Sequence, residues 1–166
     1  MATKASFTPE EWTLLLESPM MAGMAVSAAE PSGLFGMLKE SFATGSALVA
    51  AKMDAAANGL VKAVAADFET AEGRATARDG LKARLASGKP AEIKSKALET
   101  LRQVAGLLDA KAPEDAAAFK AWLAQISRDV AASAKEGGFL GIGGVQVSDA
   151  EKATLDELAQ ALRLPG

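Results

Sequence analysis

Along this chain the apolar positions return every three or four residues and almost never alternate, a pattern that predicts helices and gives no strand signal. The first helix opens at Thr8, a good N-cap, with Pro9 at the first helical position and Glu11 completing a capping box. Phe7, ahead of the cap, is placed to meet Trp12 in a hydrophobic staple, and Leu15 and Leu16 extend the apolar face. Ser18–Pro19 reads as the end of this helix and the start of a second, PMMAGMAVSAAE. Small and methionine side chains on nearly all its sides predict a central, buried helix, with Gly23 allowing a neighbour to approach closely.

Pro31–Gly33 breaks the pattern, and LFGMLKESFATGSALVAAKMD resumes it with a kink expected at Gly45. Leu60, Val61, Val64 and Phe68 then recur at helical spacing, with Gly73 read as the stop. RATARDGLKARLASGK alternates charge and predicts a short, mostly solvated helix. From Pro90 onward Ile93, Ala97, Leu101, Val104 and Leu108 mark one stripe. Pro113 starts the next helix, where Phe119, Trp122, Leu123, Ile126 and Val130 make a wide apolar face. Ser148 and Glu151 form a second capping box ahead of Leu155, Leu158 and Leu162. Turns are short and no composition shift divides the chain. The expected architecture is therefore all-α, one helical-bundle domain of about seven helices over residues 1–166, with residues 1–6 disordered.

Composition sharpens that picture mainly by exclusion. Alanine clusters such as DAAAN and DAAAF favour helix, and strand-favouring residues are sparse. The net charge of −3 leaves no basic face for nucleic acid, and lysines interspersed with acidic residues make attraction to an anionic membrane weak. With no cysteine, histidine or tyrosine, disulfides, thiolate chemistry, imidazole bases and thiolate or imidazole metal ligands are excluded. A bound metal would sit among oxygens, which selects Ca, Mg or Mn. No Ser-x-x-Lys or Gly-x-Ser-x-Gly arrangement occurs. The carboxylate pairs Asp149/Glu151 and Asp156/Glu157 do not share a helix face, so the chain reads as a non-enzyme. No signal-peptide core opens it and no run of 18 apolar residues occurs, which makes a cytoplasmic location the expectation.

Two stretches echo each other: AVSAAEPSGLFG (Ala25–Gly36) and AASAKEGGFLG (Ala131–Gly141). Each ends a small-residue helix on a glutamate, Glu30 or Glu136, then turns and presents two large apolar residues between glycines. This predicts two pseudo-symmetric helix–turn–helix units, packed closely through Ala25, Ser27, Ala131 and Ser133, with the two glutamates near each other. The glycine loop after Glu136 lacks the Gly-Lys-Ser/Thr ending and the preceding strand of a phosphate cradle. Its Phe139, Leu140 and Ile142 either plug the end of the bundle or, with Leu34 and Phe35, form an apolar contact surface for a membrane or partner.

Glu136–Gly137, the capping step VSDAE (Val147–Glu151) and the closing helix LDELAQALRL resemble the recurrent element of TerB-like tellurite-resistance domains, over roughly Val130 to Leu164. The resemblance implies a small helical bundle in stress response, with Glu30, Glu136 and Glu151 at the acidic positions that family uses for divalent cations. The functional expectation is a non-catalytic cytoplasmic stress-response protein or binding module. The alternative is a peripheral adaptor that meets a membrane, granule or partner helix through Leu34–Phe35 and Phe139–Leu140. A protein partner and a second copy of the chain both remain open as occupants.

Overall fold

The computed structural model describes residues 1–29, 34–54, 56–86, 89–135 and 147–165. Among them the chain forms seven α-helices and no strand, as the apolar spacing predicts. They are α1 (Pro9–Ser27), α2 (Leu34–Met53), α3 (Gly59–Glu69), α4 (Ala71–Arg84), α5 (Pro90–Lys111), α6 (Pro113–Lys135) and α7 (Asp149–Ala161).

α1 is the axis of the bundle and touches each of the other six helices. Its sequence accounts for that position: Leu15, Leu16, Met21, Ala22, Ala25 and Val26 are all essentially inaccessible, and beyond the first turn only a narrow strip at Thr13, Met20 and Met24 keeps partial exposure. The helix starts as the sequence predicts. The Glu11 amide donates to Thr8 Oγ1 at 3.3 Å, the Thr8 amide donates to Glu11 Oε2 at 2.8 Å, and Phe7 meets Trp12 with ring centroids 6.0 Å apart.

The expected break at Ser18–Pro19 does not occur, and α1 continues through Pro19 for two further turns. Proline removes the amide that would bond Leu15 O, leaving a fully buried acceptor. The Ser18 hydroxyl supplies the missing donor, reaching Leu15 O at 2.7 Å. Ser18 is thus the residue that lets a proline sit in mid-helix, and the burial of Leu14 through Pro19 outweighs the local cost.

Gly73 also acts differently from expectation. α3 ends at Glu69, and Thr70 joins the two helices: its hydroxyl donates to Asp67 O at 2.7 Å and accepts from the Gly73 amide at 2.8 Å. Gly73 lies in the first turn of α4, where a Cβ would stand 2.0 Å from Asp67 O. The glycine marks close approach of two backbones, not a helix stop. α4 buries only Gly73, Ala77 and Leu81, in keeping with its alternating charges, and α2 runs unbroken through Gly45.

The stripes predicted on α5, α6 and α7 face one core, where Leu101, Leu108, Phe119, Ile126, Leu158 and Leu162 are inaccessible. α6 comes close to α1 because small residues meet there: the buried Ser127 hydroxyl donates to Ala22 O across the helix pair at 3.0 Å. Residues 1–6, expected to be disordered, carry a 3-10 turn at Lys4–Ser6. Lys4 bonds Asp67 at 2.9 Å and the Ala2 amide donates to Asp115 at 2.7 Å, and these contacts hold the segment on the bundle. No helix among the described residues is long and apolar enough to cross a membrane.

Candidate functional site

Glu30, Glu136, Phe139, Leu140 and Ile142 lie outside the described residues, as does the comparison of the two echoing turns. Leu34 and Phe35 open α2, but their side chains also lie outside the described set. Glu151 is described. It is 4 % exposed and its carboxylate accepts from the Ser148 amide at 2.8 Å, while its own amide donates to Ser148 Oγ at 3.2 Å. The helix cap therefore occupies this side chain. Among the described residues no three acidic side chains gather into a cluster that could hold a metal ion.

Among the described residues a groove of about 430 Å³ lies between α2 and α6, closed at one end by the start of α3. Helical register builds both walls. On α2 the lining positions are Ala47, Ala50 and Ala51, which share one face, and Asp54 follows just past the helix end. On α6 they are Ala118, Trp122, Gln125, Ile126 and Asp129, again one face. Alanine makes the floor shallow and lets an incoming backbone come near, while the partly exposed Trp122 supplies an apolar wall above the buried Ile126.

One end is fixed by a buried polar link. Asn58 caps α3, its side-chain oxygen accepting from the Leu60 amide at 2.9 Å, and its amide nitrogen donates to Asp115 Oδ1 at 2.8 Å in the first turn of α6. Asp115 is 1 % exposed. Burial pushes its carboxyl up, but the Ala2 amide and the Asn58 side chain outweigh that and hold it below its ordinary value. This link places the C-terminal end of α2 beside the N-terminal end of α6.

Asp54 consequently stands at one end of the groove, just past the last residue of α2, where the helix dipole adds negative potential. Asp129 stands at the other end, about 16 Å along α6 from Ala118 at the rise of an α-helix. Both carboxylates are exposed, and neither belongs to an ion pair among the described residues. Asp54 accepts the Ala56 amide at 2.8 Å, and Asp129 accepts from Gln125 at 2.7 Å. The lining contains no lysine or arginine; Arg128, at its edge, reaches Gln125 Oε1 at 3.3 Å.

Trp122 is in T-shaped contact with Phe119, with centroids 5.3 Å apart, and its indole nitrogen is buried without a hydrogen-bond partner. The other tryptophan differs: Trp12 donates to Asp67 Oδ2 at 2.6 Å, in a second cleft of about 310 Å³ whose carboxylate also holds Lys4. There the polar groups already satisfy one another. The α2–α6 groove has its polar groups at the ends and an apolar floor between, so it has more to offer a ligand.

Sequence reasoning missed this groove because Trp122 and Ile126 read as core and the alanines as helix formers. The available signal was the alanine stripe of α2 that runs to Asp54 and the face of α6 that runs from Ala118 through Trp122 to Asp129. No family model, curated protein or solved structure matches the chain.

Proposed function

We propose that this protein is a non-catalytic helical binding module that holds a segment of a partner protein in the groove between α2 and α6. The observation that carries this reading is the groove's construction: an alanine stripe on α2 facing a mixed wall on α6 with Ala118 and the aromatic Trp122, and charge confined to Asp54 and Asp129. The alanines of α2 and Ala118 of α6 leave room between the two helices for a third to sit, with helix axes packing about 8–10 Å apart depending on the contact side chains. The side chains offer no support for catalysis there, because the two carboxylates stand at opposite ends rather than converging on one reacting atom.

The test is a selection of displayed amphipathic helical peptides on the full chain, with Ala118→Trp as the discriminating variant. Ala118 is exposed, so the added indole fills the groove without entering the core. The expected result is a set of peptides that bind the wild-type chain and lose at least tenfold in affinity on Ala118→Trp. Peptides that bind both forms equally, or no binders at all, would remove this reading.

A further inference from the structure

Resting on that reading, we infer that the groove's occupant is a cationic amphipathic helix carrying two basic residues about eleven positions apart on one face, their charges meeting Asp54 and Asp129. Eleven residues advance a helix by about 16 Å and return it to nearly the same face, at 3.6 residues per turn. That matches the length of the α6 stripe from Ala118 to Asp129.

Charge complementarity selects this occupant over the others. The lining holds two carboxylates and no cation, neither carboxylate is in an ion pair among the described residues, and the C-terminal end of α2 adds to the negative potential beside Asp54. A second copy of the chain docked groove to groove across a two-fold axis would bring four aspartates together, and the chain already carries a net charge of −3. Between the charged ends the alanine floor accepts medium-sized aliphatic side chains. Leucine or methionine at the central positions of the partner face would pack over Ala50 and Ala118 against the partly exposed Trp122.

The probes are three fluorescein-labelled helical peptides of equal length and leucine content. One carries lysines eleven apart, one carries lysines four apart, and one has glutamine at both outer positions. Anisotropy titrations with wild type, Asp54→Asn, Asp129→Asn and Ala118→Trp are run at low and moderate salt. The expected result is that the eleven-spaced peptide binds tightest, each Asp→Asn change weakens it about three- to tenfold, and added salt reduces its advantage. Neither aspartate change should affect the glutamine peptide.

A glutamine peptide that binds as tightly as the eleven-spaced one, while still failing on Ala118→Trp, would overturn the charge assignment and leave the groove reading intact. Failure of every peptide would overturn both. A concentration-dependent dimer in sedimentation that Ala118→Trp abolishes would assign the groove to a second copy and overturn the cationic partner.

Discussion

Ser18→Ala is the substitution through which the central helix is best tested. It removes one hydroxyl from a site with no solvent access and leaves Leu15 O without a donor, because residue 19 is proline. An unpaired buried acceptor costs about 1–3 kcal/mol, and for a chain of this size each kcal/mol shifts Tm by about 2–4 °C. The mechanism makes a sharper statement than the magnitude. Pro19→Ala restores a backbone amide at the position that bonds Leu15 O, so Ser18→Ala should cost no more than about 0.5 kcal/mol in that background. Urea unfolding followed by helical circular dichroism on the four chains of this double-mutant cycle measures the difference. Pro19→Ala by itself relieves a mid-helix proline and loses ring packing, so its own sign matters less than the coupling. An equal cost of Ser18→Ala in both backgrounds would refute the assignment of Ser18 as the donor that replaces the proline amide.

Other substitutions probe other parts of the frame. Gly73→Ala places a Cβ 2.0 Å from a backbone oxygen that cannot step aside, so it should destabilise by about 3 kcal/mol or more, while Gly45→Ala, with open space around it, should be neutral or slightly stabilising; thermal melts compare them. Trp12→Phe should cost more than Trp122→Phe, since only the first breaks a hydrogen bond to a carboxylate, and the second removes a buried donor that has no partner; the reverse order in urea titrations would contradict the bonding pattern. Glu17, 1 % exposed and bonded to Arg84 at 2.5 Å, has its carboxyl pushed up by burial, against the pull of Arg84. Its folded form therefore binds a proton more readily than the unfolded chain does, and its contribution to stability falls as pH rises above the ordinary value of 4.5. Stability of Glu17→Gln relative to wild type should grow from about pH 4 toward 7, and a flat or opposite trend would mean that the Arg84 pairing dominates.

How much of this was legible in the residues depends on where the information sits. Thr8–Glu11 and Ser148–Glu151 announce their helices because a cap is a local bargain between neighbours, and both form as expected. Pro19 and Gly73 misled for the same reason in reverse. Their usual local meaning is a break, but each serves a tertiary demand: a helix that must stay buried through the proline, and a backbone crossing that leaves no room for a Cβ. The groove was hidden because its residues are ordinary one helix at a time. Ala50 and Ala118 gain meaning only when the Asn58–Asp115 link sets α2 against α6. Glu151, singled out through a family resemblance, is already engaged in its own cap.

The α2–α6 groove as a docking site is tested most directly by amide NMR on the isotope-labelled full chain, titrated with the peptide carrying lysines eleven apart. Saturable shifts confined to the amides of 47–58 and 118–129 are the predicted result. Shifts scattered over other faces, or none at peptide concentrations that saturate the anisotropy signal, would contradict it.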